Sequence, residues 1–453
     1  MMFNKSLICA AVAVLTLDTG TAFAAISPEQ VARLQSDLTP LGAERGASAD
    51  GTIPEWTGGI RGALPGWPNA KNDRPNPYAN DKVLFTISAA NMAQYADKLT
   101  DGTKAMFKAY PDSFKMNVYP SRRTAAYPDS LYEAIAKNAT TAELVNDGNA
   151  VKGVWGAIPF PIPANGNEAI WNHLLRYQGS YREATITENV IYDNNQRLDW
   201  VADAQIHNPF YDAKASDKDR QRGTIFKLAL TVTSPVRDAG EGYLAIDQLD
   251  MAANPRKAWT YDPGERRVRR APNLAFDTPD RPINVIDDYE LFSGSPERYN
   301  WKLVGKKEIY VPYNNNQINS PSLALADLTQ PGYLDSDVIR YELHRVWVVE
   351  ATVKEGERHL YSKRVNYIDE DSWGIIASDK YDGNGSLWRV GFSYPVVAAE
   401  IPLTGAGMFT QVDLKKGGYY MINGSNDGKG WSFNTPAPKG SFYTPAAVRR
   451  RGR

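Results

Sequence analysis

Four histidines, at positions 173, 207, 344 and 359, are the chain's whole supply of imidazole for proton transfer or metal binding. None sits in an HxxxH or HExxH spacing that would place two ligands on one helix face. A turn at Glu355-Gly356 predicts a hairpin that brings His344 beside Tyr367 and His359 beside Thr352, so the two should not meet. Asp287-Asp288 and Asp369-Glu370-Asp371 are the places where a glycosidase-type carboxylate pair could form. Their ordinary reading is solvated acids at loops and strand ends. Asp382-Gly-Asn-Gly-Ser386 alternates oxygen side chains as a calcium loop does. Leu387 stands where such a loop needs glycine, and no glutamate follows at the twelfth position, so a hairpin turn is expected. No GxSxG elbow, phosphate loop or GxGxxG occurs. No catalytic residue, metal site or cofactor is assigned.

The run Arg256–Arg270 is the sharpest local feature. It predicts a hairpin with Trp259 and Tyr261 on one face and, past Asp262-Pro-Gly264, Arg267 and Arg269 on one face. Guanidiniums suit carboxylate or phosphate groups, and an amphiphile with an acidic head would match an aromatic wall beside them. Trp259, Tyr261 and Trp347 are therefore the expected cavity wall, with Arg267 and Arg269 near a polar head. A solvated edge hairpin whose arginines deter strand-to-strand aggregation would use the same residues.

Positioning those residues falls to two unlike halves of the chain. Ser27-Pro28-Glu29-Gln30 opens a short helix with a capping box. Residues 41–80, rich in Gly and Pro around Trp56 and Gly66-Trp67-Pro68, read as an ordered arm wrapping a larger body. Ser88–Tyr110 predicts one or two helices broken at Gly102, and Pro128–Asn138 another. Asn167–Tyr177 is the strongest helix, capped by Asn167 and stopped by Gly179. After residue 180 the period becomes two. About a dozen strands run from Ala184 to Asn423 with short turns, which predicts one antiparallel meander, strongly curved or nearly closed. Residues 271–299 and 312–338 are longer, functional or covering loops. A curved sheet cannot leave its apolar concave face wet, so the helices should lie inside or across it. The expected fold class is β-rich α+β.

The first residues set the compartment. Lys5 precedes the uncharged run Leu7–Leu17, and Ala22-Phe23-Ala24 offers small residues to a signal peptidase, predicting cleavage between Ala24 and Ala25. Cys9 is the single cysteine and lies inside that run, so the mature chain has neither disulfide nor thiolate. Bulky Ile8 before it argues against lipidation. The 51 Lys and Arg balance 52 Asp and Glu, which leaves no global field to attract nucleic acid. Arg449-Arg450-Arg451 and Arg453 read as a solvated tail. The expected organisation is a signal over 1–24 and a single domain over 25–453. Within it, arm and helices fill 25–180, the sheet 181–425, and a tail 426–453.

Several segments resemble the proteobacterial family known as domain of unknown function 1329, grouped with LolA/LolB-like lipoprotein carriers. They are Leu38–Arg45 with Asp50–Trp56, Pro159–Pro163 with Glu168–His173, Trp259–Arg270, Asp288–Gly294 and Tyr341–Trp347. The resemblance implies a LolA/LolB-like half-barrel closed by helices as lid or plug, with an apolar cavity. It also implies an accessory partner of RND/MMPL-type inner-membrane exporters, and it transfers no catalytic residue. The chain lacks a lipidation cysteine and is far longer than a minimal lipoprotein carrier, which favours a free hydrophobic molecule as cargo. The expectation is a periplasmic carrier, not an enzyme. A docking protein of an envelope transport complex, or a carboxylate-dependent envelope hydrolase, is the alternative.

Overall fold

Period-two sequence and tight turns make consecutive strands pair as antiparallel neighbours, and the second half of the chain obeys this almost throughout. The computed structural model describes residues 26–452 except 63, 66, 68–72, 273, 425, 427–429 and 434. The Ala24/Ala25 cleavage, Arg453 and the turn residues Gly66 and Pro68 lie outside the described residues. The early strands are β1 (Phe85–Ser88), β2 (Lys115–Val118), and the separate hairpin β3 (Glu143–Val145) and β4 (Ala150–Lys152). A first meander follows: β5 (Tyr181–Ile191), β6 (Arg197–His207), β7 (Thr224–Ser234), β8 (Gly242–Gln248), β9 (Lys257–Asp262) and β10 (Arg267–Arg270). Next come β11 (Tyr299–Pro312) and the small hairpin β12 (Thr329–Gln330) and β13 (Tyr333–Leu334). The second meander is β14 (Tyr341–Val353), β15 (Lys363–Asp369), β16 (Ile375–Tyr381), β17 (Leu387–Ala398), β18 (Leu403–Asp413) and β19 (Tyr419–Gly424).

Pairing of β19 with β5 joins the two meanders into one open sheet of 15 strands. β10 ends it on one side; on the other, β14 carries both β11 and β2. Every pairing is antiparallel except the single β2–β14 contact at Val118 and Tyr341. The expected antiparallel, curved architecture holds, and the sheet stays open rather than closing into a barrel. β1 and β2, both before residue 180, add strands that the alternating pattern does not announce.

The helices are α1 (Pro28–Arg33), α2 (Asp101–Ala109), α3 (Asp129–Thr141), α4 (Gly166–Leu174), α5 (Asp217–Gln221), α6 (Leu325–Leu328) and α7 (Pro445–Arg451). None of the described helices is long and apolar enough to cross a membrane. α1 carries the expected capping box between Ser27 and Gln30. α4 is capped by Asn165 rather than Asn167, because Asn165 accepts the Glu168 amide at 3.0 Å while Glu168 accepts the Ala164 amide. Nearly all of α4 is buried, as an all-round enclosed helix must be. It lies on the inner sheet face with α3, where Ile170 and Ile135 meet Val349, Ala351 and Ile368. Helices do plug that end of the inner face. The 3₁₀ turn Met92–Lys98 and α2 are separated at Leu99-Thr100, not at Gly102. Gly102 is inside α2 because a Cβ there would stand 2.1 Å from Asp379 Oδ1 and 2.6 Å from Val390 Cγ1.

The outer face of β14–β19 is covered by α2 and by residues 318–341, which bury Phe107, Phe114, Ile318 and Leu328 against Val348, Phe392 and Met421. Arg449 and Arg450 are exposed as expected, but they stand on an ordered helix rather than a loose tail. Thr444 caps α7, and Val448 is fully buried against Tyr261, Leu244 and Tyr443 on the outer face of β7–β9.

Candidate functional site

The inner face of β5–β8 is built from the residues that alternation turns inward: Arg182, Ile186 and Glu188 on β5, Ala204 and Ile206 on β6, Leu228 and Leu230 on β7. Register places Arg182 opposite Ile206, and Ile206 opposite Leu228, so one apolar wall runs across three strands. The segment 274–294 crosses in front of it and leaves an interior cavity of about 230 Å³ between. Phe409 and Ile422 close one side, and Leu174, the last residue of α4, stands at the rim with Arg176 and Gln178. The cover over the hollow is thus the segment 274–294, while the helices fill the neighbouring end of the sheet.

Charged groups at the cavity are mostly paired within the wall. Arg256 Nε and Nη2 hold Asp247 at 2.8 and 2.7 Å. Arg281 Nε donates to Glu188 Oε2 at 2.8 Å, with its guanidinium 4.6 Å from the Trp200 ring. Burial, reinforced by nearby Asp280, pushes the Glu188 carboxyl up to about 7 in spite of Arg281. Glu290, in a left-handed conformation at φ 55°, receives Arg176 at 2.7 Å and Arg182 at 3.5 Å. Arg182 is buried against the Trp431 ring at 4.8 Å. The signal for these residues is in the sequence: Arg182 and Glu188 occupy the inward, apolar phase of β5.

The residues expected at the site are distributed otherwise. In the β9–β10 hairpin, Tyr261 pairs with Val268 and Trp259 with Arg270, and this face packs under α7. Arg267 and Arg269 point to the opposite face, where both are exposed, and Arg269 pairs with Glu265 at 2.5 Å. Trp259 and Tyr261 therefore cannot hold one molecule together with Arg267 and Arg269. Trp347 is on the inner face but is half-buried, stacked on Trp373 at 6.2 Å with Lys306 Nζ 4.6 Å over its ring. None of the five lines the 230 Å³ cavity.

The acids expected to be solvated are buried. Asp287 and Asp288 meet Arg364 at 2.6 and 2.9 Å, Lys380 lies 3.2 Å from Asp288, and His359 donates to Asp287 at 2.9 Å. The β14–β15 register also differs from expectation. Val346 stands opposite Asp369, which carries His344 toward Asp371, while His359 sits outside the strand in the connecting loop. His344, Asp369 and Asp371 consequently gather with candidate ligand atoms within 4.8 Å. Protein groups already serve this cluster: Arg123 takes Asp371 at 2.7 and 2.9 Å, Tyr313 and Ser372 donate to Asp369 Oδ2, and His344 Nε2 lies 3.0 Å from Glu342. Arg123 supplies counter-charge to Asp371, while Asp369 Oδ1 is buried and has no hydrogen-bond partner among the described residues. Asp382 accepts the Asn384 and Ser386 amides at 2.9 Å, the hairpin turn that its sequence predicts.

An open, curved antiparallel sheet with a largely apolar hollow against its inner face defines the class. The chain belongs to the family of proteins of unknown function DUF1329, whose pattern matches residues 86–449. It is 40% identical to the uncharacterized protein PA3922 of Pseudomonas aeruginosa over all of both chains. Among solved structures it is similar to a DUF1329 family protein from Desulfovibrio piger, with 15% identity, TM-score 0.40, and coverage of 60% of this chain and 92% of that one. It is also similar to a putative outer membrane lipoprotein-sorting protein domain from Vibrio parahaemolyticus, with 13% identity, TM-score 0.43, and coverage of 62% and 97%. Both structural likenesses are partial.

Proposed function

We propose that the protein is a carrier or binding protein for a hydrophobic molecule, exported to the periplasm, that works without covalent chemistry. One observation carries this reading: the apolar hollow between β5–β8 and the segment 274–294, which the protein's own side chains leave open. Burial of about 300 Å² of a guest's tail would contribute roughly 7 kcal/mol before ordering costs, enough for useful affinity without any reactive group. A guest would lie between the sheet and the segment 274–294, in which Ile283, Glu290 and Leu291 hold positive φ, at 70°, 55° and 64°. Delivery to an RND/MMPL-type exporter belongs to the same reading. Native mass spectrometry of gently purified protein tests the cargo, with co-purified mass of an apolar guest expected. A mass-pure chain that binds no alkyl probe would overturn it. Cell fractionation tests the compartment, and crosslinking in intact cells tests the exporter.

A further inference from the structure

One cation at the cavity stands apart from the rest. Arg256 and Arg281 each own a carboxylate, Asp247 and Glu188 respectively. Arg176 and Arg182 share one, Glu290, and share it unequally, at 2.7 and 3.5 Å. Only 5% of Arg182 is exposed, and its Nε and both hydrogens of Nη1 find no partner among the described residues. Three of the five N–H groups of a buried guanidinium are thus unused. The indole N–H of Trp431, whose ring the guanidinium covers, is likewise buried and unpartnered. Both residues line the cavity.

Buried donors are ordinarily satisfied, and a buried charge more so, because water is no longer present to solvate them. A surplus of buried donors beside an apolar wall suits acceptor oxygens carrying negative charge. We infer that Arg182, with Trp431 beside it, is the docking point for an anionic headgroup, a carboxylate or a phosphate, of an amphiphile whose tail lies on Ile206, Leu228 and Leu230. This inference rests on the carrier reading and narrows its cargo: neutral hydrocarbons, alcohols and sterols without an acid group leave Arg182 unserved. A guanidinium suits the headgroup because its planar N–H array matches carboxylate and phosphate oxygens, and the excluded water makes each charge-assisted bond count. Glu290 reaches only Nη2, at 3.5 Å, and leaves Nε and Nη1 to the headgroup.

The test compares one tail with different heads on the full mature chain at pH 7.5, by displacement of the neutral fluorophore N-phenyl-1-naphthylamine. Dodecanoate and dodecyl phosphate should bind at least tenfold more tightly than 1-dodecanol. In Arg182→Met the acid's advantage should vanish while 1-dodecanol keeps its affinity. Arg182→Lys, which keeps the charge and loses the planar array, should fall between. Equal affinity for acid and alcohol in the native chain, a comparison that needs no variant, overturns the inference and leaves the carrier reading standing. So does an acid preference that survives in Arg182→Met. Inorganic phosphate competing as strongly as dodecyl phosphate overturns it too, marking a free-anion site. Failure of all three tails to bind removes the carrier reading itself.

Discussion

Asp288 Oδ1 lies 2.9 Å from Arg364 Nη1 in an enclosure where neither side chain has any exposure. Tyr361 donates to the second oxygen of Asp288 at 2.6 Å, and Lys380 approaches the first at 3.2 Å. Burial brings the Lys380 ammonium down to about 8, against the pull of Asp288. Asp288 comes from the 271–298 loop and the cations from β15 and β16, so this network pins the foot of the loop to the sheet. Asp288→Ala would leave the buried Lys380 ammonium without its carboxylate and Arg364 with Asp287 alone, and a loss of about 3–5 kcal/mol is expected. Urea unfolding should show a lower midpoint; a change below about 1 kcal/mol would contradict the account.

Gly102 offers a test in which local propensity and packing disagree. Inside a helix, Gly→Ala ordinarily gains up to about 1 kcal/mol. Here the new methyl would press on Asp379 Oδ1 and Val390 Cγ1, both short side chains with no room to swing away. Gly102→Ala should therefore destabilise the fold by about 1–3 kcal/mol. Thermal unfolding decides, and a raised Tm would show that α2 shifts freely.

Asp379 itself predicts a pH dependence. Burial pushes its carboxyl up to about 7, against the Gly102 amide and the Tyr367 hydroxyl, which donates to Oδ2 at 3.1 Å. Between the unfolded value near 4 and about 7, the native state holds a proton that the unfolded chain has released. Stability therefore declines as pH rises through this window and levels off above it. Asp379→Asn should flatten the decline and leave the protein more stable than the parent at pH 8, by an amount on the order of a few kcal/mol. Unfolding midpoints at pH 5 and pH 8 measure this; an unchanged slope in the variant would refute it.

How much of this was legible depends on the range of the interactions involved. The strands between Ala184 and Asn423 could be read because alternation and turn residues act over a few positions, and the meanders fall within those bounds almost throughout. The β14–β15 register could not. Its loop is held from afar, by Asp287 on His359 and Asp277 on the Leu360 amide, so a tight turn at Glu355-Gly356 gives a wrong offset. Gly102 has one sequence meaning as a helix break and another as a close contact, and only packing separates them. The arginine-rich hairpin draws attention by density of charge, whereas the single inward Arg182 is marked only by phase. The arginines of Arg449–Arg451 hide the helix that carries them, whose cap, first turn and buried face are Thr444, Pro445 and Val448.

The two faces of β7–β9 make separable predictions. Tyr261 and Val448 stabilise the outer face under α7, while Leu230 lines the cavity on the inner one. Tyr261→Ala removes a buried ring and should lower stability by about 2–4 kcal/mol, yet leave alkyl-tail affinity within about twofold. Leu230→Asp should do the reverse in binding: a carboxylate on the apolar wall must be desolvated by any incoming tail, so affinity should fall at least tenfold. Urea unfolding and fluorophore displacement on the same samples separate the effects. If folded Tyr261→Ala lost tail binding while Leu230→Asp kept it, the guest would sit on the outer face with Trp259, and the hollow between β5–β8 and the 271–298 loop would not be its site.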